Sequence, residues 1–415
     1  MKMNEAMRND AIYIINKTIE ANDPEQAVAK ALEEHRKPSY IMAIGKAAWT
    51  MANAAKKTLG ENALGGVVIT KYDHSNGPIG NFSIFEAGHP IPDENSVKAT
   101  EFAVDFFSEM TEADNVIFLI SGGGSALFES PVDGVSLKNM EKLSRDLIKS
   151  GADITQINTV RKRLSKVKGG GFAEICAPAN IYCVILSDVL GNDPAAIASG
   201  PATTNNSTAE DALRIIEEFG IELSENILSK LKEDNSVQVN NAAHRIIGSV
   251  NELCISVEKF AAERGYATYI MTQSMTVQAR EAGNMMASIA EKLKDGETLP
   301  LPCALIFGGE TVVKVTGEGK GGRNQELALA AALRIEGMEN ICIFSFGSDG
   351  TDGPTDAAGG ITDGYSADNY KELGMDAYEY LNNNNSYPLL KASGDLLVTG
   401  PTGTNINDVS VILIR

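Results

Sequence analysis

Histidine and cysteine are scarce. Four histidines in 415 residues, none spaced as H-E-x-x-H, make a histidine-based metal centre improbable. The five cysteines, Cys176, Cys183, Cys254, Cys303 and Cys342, lie far apart and include no C-x-x-C pair. That argues against both a disulfide framework and a thiolate zinc site, and makes a reducing cytoplasm the expected compartment. No apolar run approaches 18 residues, and the first turns carry acids without an apolar stretch, so neither a membrane span nor a signal peptide is expected. Positive charge is also in deficit: 36 basic against 55 acidic residues leave a net charge of −19. A nucleic-acid partner needs a basic surface and is excluded on that ground, whereas a small anion needs only a few local cations.

What the chain has is a series of short, wholly apolar runs ending in glycine or serine. Tyr40–Ile44 stops at Gly45, Asn115–Ile120 at Ser121, and Ile181–Leu186 at Ser187, with helical periods between them. Such runs read as strands buried on both faces, hence a doubly wound, mostly parallel α/β sheet. The polar stretch around 221–241 suggests a boundary near residue 240, with one α/β domain over 1–240 and a second over 241–415. In the second, a helix over Ala242–Arg264 and strands over Ala267–Thr272, Pro302–Phe307, Thr311–Thr316, Asn340–Phe346, Leu396–Thr399 and Val409–Ile414 are expected.

Ligands of open α/β sheets bind at the carboxyl ends of strands, and the loops there are rich in glycine and cations. Lys46 follows the first strand directly; it reads either as a surface lysine or as an anion ligand at a helix start. Ser121-Gly122-Gly123-Gly124-Ser125 offers N–H and hydroxyl donors at a phosphate-sized nest, without the spacing of a P-loop. The basic run Arg161–Lys168, with Lys166 and Lys168 before a glycine triplet, is either a solvated helix face or an anion-facing patch. Gly317-Glu318-Gly319-Lys320-Gly321-Gly322-Arg323-Asn324 formally contains G-x-G-x-x-G. No acid closes the following strand, and its two cations suit phosphate transfer better than a dinucleotide. Asp349 and Asp352, in an Asp/Gly loop, are candidate Mg²⁺ ligands, because that ion takes one or two carboxylates together with phosphate and water. Thr402-Gly403-Thr404-Asn405 adds hydroxyl and amide donors, and Asp188, after a buried strand, is either a helix cap or a base. These residues together point to Mg²⁺-dependent transfer to a small anion.

Several longer stretches carry a resemblance. Leu119–Leu127, Lys166–Gly170, Ser187–Pro194, Ile197–Pro201, Gly321–Ala328, Asp349–Gly359 and Gly400–Asp408 resemble the glycerate 2-kinase family, whose C-terminal half is called the MOFRL domain. The resemblance runs from about Gly45 to Asp408. It implies a non-P-loop kinase with a Rossmann-like first domain, a mixed-sheet MOFRL-type second domain (about 300–410) and the active cleft between them. It implies ATP as co-substrate, a divalent cation such as Mg²⁺, D-glycerate as acceptor and 2-phosphoglycerate as product, in a monomer or homodimer. Lys46 and Arg323 are then the expected catalytic cations, and Asp188 is the choice for orienting or deprotonating the attacking hydroxyl. Two rival readings stand beside it: an NAD(P)H-dependent hydroxypyruvate reductase, supported by the formal G-x-G-x-x-G, and a non-catalytic module that binds an anionic metabolite.

Overall fold

Apolar runs become strands where helices can cover both of their faces, and the chain does this twice. The computed structural model describes residues 2–233 and 236–415. Contacts divide it into two compact units, Pro24–Ile247 and Gly248–Arg415, the latter joined by the first helix, Lys2–Ala21.

The unit Pro24–Ile247 is built on strands β1 (Ser39–Ile44), β2 (Ala63–Lys71), β3 (Phe82–Ala87), β4 (Asn115–Ile120), β5 (Asn180–Leu186) and β6 (Ala242–Gly248). Their spatial order is β3-β2-β1-β4-β5-β6, and the pairs from β3 through β5 are parallel. This is the Rossmann order, in which successive connections reverse direction at the β1–β4 pair and open a crevice at the carboxyl ends of those strands. Under the loop after β4 lies an aromatic cluster. Phe118 and Phe172 approach to 4.7 Å between centroids, and Phe128 and Phe172 to 5.4 Å. Each such pair contributes ~0.5–1.5 kcal/mol beyond area burial, giving the loop a stiff base.

The other unit has strands β7 (Ala267–Met275), β8 (Cys303–Gly309), β9 (Ile341–Gly347), β10 (Gly359–Asp363), β11 (Leu396–Leu397) and β12 (Asp408–Ile414). The order is β11-β10-β9-β12-β8-β7, parallel at β7–β8 and antiparallel elsewhere. The last strand therefore lies between β8 and β9, with every residue buried.

Several local expectations change. Thr311–Thr316 is no strand: β8 already has β7 and β12 on its two sides, and only Val312 forms a bridge, to Gln278. The single helix expected over Ala242–Arg264 is strand β6 followed by helix Val250–Glu263, because Ser249 starts the helix by accepting the Asn251 N–H at 3.2 Å. Only Leu396–Leu397 of the expected Leu396–Thr399 strand is extended. Strands β3 and β10 escape the apolar-run pattern, one being half-exposed and the other opening on two glycines. By its contacts the chain divides after Ile247.

Helix Lys2–Ala21, expected with the first half of the chain, packs in the second unit instead. It buries Met7, Ala11, Ile14 and Ile15, and Asp10, which is 1% exposed, anchors it by accepting from Arg264 Nε (2.6 Å), Tyr266 Oη (2.9 Å) and Arg415 Nη2 (2.6 Å). Arg8 adds bonds to Asp363 (3.2 Å) and Asp395 (2.8 Å). Asp10→Ala is expected to lower stability by about 2–3 kcal/mol in urea unfolding, because it strands a buried hydroxyl and two guanidinium groups. Partial exposure of both arginines keeps the loss below that of a fully buried pair. Glu20→Ala, at the exposed pair with Lys17, is expected to cost under about 0.5 kcal/mol in the same measurement.

Candidate functional site

At the β1–β4 switch point two strand ends touch backbone to backbone. Gly45 has φ +112°, and a Cβ there would overlap the carbonyl and Oγ of Ser121. Closing the contact, Lys46 N–H donates to Gly122 O (2.9 Å) and Ala47 N–H to Ser121 Oγ (3.1 Å). Ser121 Oγ donates onward to Ile44 O at 3.2 Å. Ser121 is thus a buried brace between two turns, and not the outward-facing phosphate donor expected of it. Gly123, with φ +87°, has beside it the Lys46 side chain and the His89 ring, at 3.4 Å (Cγ) and 2.9 Å (Nε2) from where its Cβ would sit. Burial, with Lys46, Lys71 and His74 nearby, pushes the His89 imidazolium pKa down to about 4, so the ring is neutral at pH 7. Lys46 itself is half-buried.

The basic run separates into different roles. Lys168 is fully buried, ion-paired with Glu129 at 3.0 Å, and donates to the carbonyls of Ser125 and Phe128 (2.9 Å each). Desolvation lowers its pKa to about 8, against the pull of Glu129. It is an internal prop for the glycine loop and cannot reach an anion outside. Lys166 points elsewhere, half-exposed and paired with Asp133 at 2.7 Å. Ser125 Oγ bonds Ser199 Oγ at 2.9 Å, while its carbonyl accepts from Arg161 Nη2 at 3.2 Å. Gly123, Ser125, His89 and Arg161 line a cavity of about 580 Å³. Asp188 stands half-buried immediately beyond β5.

The second unit gathers its polar residues where β8 and β9 end and β12 begins. Arg323 opens helix Arg323–Arg334 and forks onto Asp408, with Nε to Oδ2 at 2.5 Å and Nη2 to Oδ1 at 3.0 Å. Its Nη1 pairs with Glu310 at 2.8 Å. Burial and the carboxylates of Asp352 and Glu310 push Asp408 up to about 7, with Arg323 pulling the other way. The fork and the Glu310 pair together leave two of the five guanidinium N–H bonds for a ligand. Asp349 borders this pair: a Cβ on Gly347 would lie 3.3 Å from Asp408 Oδ1 and 3.5 Å from Asp349 Oδ1. Beside it, Thr402 donates its N–H to Asp349 O at 3.3 Å and its hydroxyl to Ser348 O at 2.5 Å. Gly403 is exposed, Asn405 half-buried, and the buried Thr404 Oγ1 has no hydrogen-bond partner among the described residues.

Three expectations fail here for the same reason, prior commitment of the polar atoms. Asp352 is 2% exposed and accepts the N–H groups of Asn324 (3.2 Å) and Gln325 (2.9 Å), with Gln325 Nε2 at 3.0 Å. It caps helix Arg323–Arg334 and does not suit a metal ion. Asn324 turns inward, accepting from Ser345 Oγ at 2.5 Å. The Gly317–Gly322 loop is no nest. The N–H groups of Gly317, Glu318, Gly319 and Lys320 bond to Asn383–Asn385 at 2.9–3.0 Å. A Cβ at Gly317, Gly319, Gly321 or Gly322 would overlap Asn383, Asn385, Ser386 or Asp352 in turn. Lys320 Nζ lies 4.5 Å from the centre of the Tyr387 ring. Among the described residues no three His, Cys, Asp or Glu side chains are grouped to hold a metal.

His89, Glu129, Glu310 and Asp408 were not singled out from the sequence as site residues. Each lacks a local cue, although Glu310 and Asp408 do adjoin strands legible in the sequence.

Comparison with known proteins bears on the whole chain. Residues 10–232 match a domain of unknown function, DUF4147, and residues 303–408 match the MOFRL family. The chain is 51% identical to the D-glycerate 2-kinase of Thermotoga maritima, over 99% of both chains. It is 38% identical to a putative hydroxypyruvate reductase of Agrobacterium vitis, over 97% of this chain and 93% of that one. The crystal structure of glycerate kinase from Thermotoga maritima superposes with a TM-score of 0.96, covering 99% of this chain and all of the other. Whole-length identity above half, together with the match in fold, means that the chain belongs to the glycerate 2-kinase family.

Proposed function

We propose that this chain transfers the γ-phosphoryl group of ATP to the 2-hydroxyl of D-glycerate, giving 2-phosphoglycerate and ADP. The observation that carries the reading is Lys46, bonded through its backbone into the glycine loop at the switch point, where an α/β sheet of this order takes its ligand. Phosphoryl transfer asks for cations and donors fixed in place more than for a covalent catalyst. Lys46 supplies a point charge beside an imidazole that stays neutral, and Arg323 a guanidinium held rigid by two carboxylates. Asp188 is the proposed partner for the attacking hydroxyl. In the loop beside Asp349, Thr402 is committed to the carbonyls of Ser348 and Asp349, and Gly403, Asn405 and the unpartnered Thr404 hydroxyl are the proposed donors. The reductase reading rested on the G-x-G-x-x-G, whose glycines here accommodate Asn383 and Asn385 (Gly317, Gly319) and Asp352 (Gly322).

A Mg²⁺ ion arriving with the nucleotide fits the residues better than one caged by protein. Asp349 accepts from Thr351 N–H (2.9 Å) and Oγ1 (3.0 Å) through Oδ1, leaving Oδ2 as the single carboxylate oxygen such an ion needs. The ion would neutralise phosphate charge there.

Lys46→Ala and Arg323→Ala are each expected to fold normally and to lower kcat at least ~10²-fold in an ADP-release assay with D-glycerate. Folded variants with near-normal kcat would remove both assignments. EDTA is expected to abolish turnover, and full activity in excess chelator would remove the ion. The pH profile tests how Arg323 is held. As pH falls through about 7, Asp408 takes up a proton and loses the charged half of its fork, so kcat should decline on the acid side. Asp408→Asn should have a lower plateau and lack that limb; an unchanged limb would assign it to another group.

A further inference from the structure

We infer that the cavity beside the glycine loop holds the adenosine part of ATP, which places the nucleotide on the Pro24–Ile247 unit. The inference rests on the kinase reading above. The cavity, of about 580 Å³, is too large and too apolar for three-carbon glycerate, but lies within the roughly 300–1,000 Å³ of small-molecule sites. Its walls include Met140 and two isoleucines left unusually bare, Ile91 (64% exposed) and Ile148 (63% exposed). A purine laid against them removes apolar surface from water; glycerate has no such face to offer.

The polar groups are arranged for the same occupant. Gly123 lines the cavity and is also the residue beside Lys46, so a nucleotide entering here has its phosphates led toward that ammonium. Glu129 also lines the cavity, at 1% exposure. Its Oε2 is held by Arg161 (3.4 Å) and Lys168 (3.0 Å), while Oε1 has no hydrogen-bond partner among the described residues. A buried carboxylate oxygen without a partner asks for a donor, which a ribose hydroxyl or an exocyclic amine supplies and a phosphate does not. Base and ribose are thereby matched to the wall and floor, and phosphates to the glycine loop.

Ser144 lines the cavity from helix Leu137–Ser150, and Ser144→Trp would fill it. Titration calorimetry with ADP and Mg²⁺ reads nucleotide binding without turnover, and steady-state kinetics reads the two KM values separately. The expected result is binding of ADP weakened by about tenfold or more, KM for ATP raised in step, and KM for D-glycerate within about twofold of wild type. The more exposed Ile148→Glu serves should the tryptophan variant not fold, with the same expectation. A folded variant of either kind with unaltered ADP affinity, or one whose KM changes for D-glycerate alone, would overturn the assignment. Wild-type protein that binds ADP yet does not phosphorylate D-glycerate would instead overturn the kinase reading, so the two failures are distinguishable.

Discussion

Everything proposed for the first unit depends on one close approach, the turn after β1 lying directly on the turn after β4. No side chain fits between Gly45 and Ser121, and the two turns share four hydrogen bonds: Lys46 N–H to Gly122 O, Ala47 N–H to Ser121 Oγ, and both the N–H and the Oγ of Ser121 to Ile44 O. That contact sets where Lys46 leaves the backbone, and it holds the loop whose Gly123 borders both the lysine and the cavity. In the second unit the equivalent constraint is the burial of β12 between β8 and β9, which sets Asp408 under Arg323. In both units a strand end fixes a cation.

The acidic balance of the chain takes on a use in this light. A net charge of −19 looks unsuited to a substrate that is itself anionic. Yet many of the informative acids act as internal counter-ions. Glu129 holds Arg161 and Lys168, Asp408 and Glu310 hold Arg323, and Asp10 holds Arg264 and Arg415. Carboxylates of this kind orient a guanidinium at the cost of part of its charge. Lys46, whose ammonium has no carboxylate among its ion pairs in the described residues, keeps its charge for a ligand.

Strands that are apolar along most of their length were legible, because burial on both faces leaves few polar positions: β1, β4, β5, β8, β9 and β12 all follow from that rule. Lys46 and the glycine loop were legible as strand-end residues. Roles that depend on distant partners were not. Lys168 and Lys166 look alike in sequence, and only the position of Glu129 makes one a buried prop and the other a surface residue. Asp352 in an Asp/Gly loop suggested a metal ligand, but the helix whose N-terminus it caps begins 29 residues earlier, at Arg323. The glycines of 317–322 suggested a phosphate loop, and nothing local signals that Asn383–Ser386 would lie against them. Glycine records that something comes close to the backbone without recording what.

The central claim is the reaction itself, and the most direct measurement follows its product. With purified protein, ATP, Mg²⁺ and D-glycerate, ³¹P NMR should show ADP and 2-phosphoglycerate appearing in equal amounts, with neither formed when D-glycerate is left out. ADP release that does not depend on D-glycerate, phosphate on the 3-hydroxyl, or NADH oxidation with hydroxypyruvate in place of phosphorylation would contradict the account.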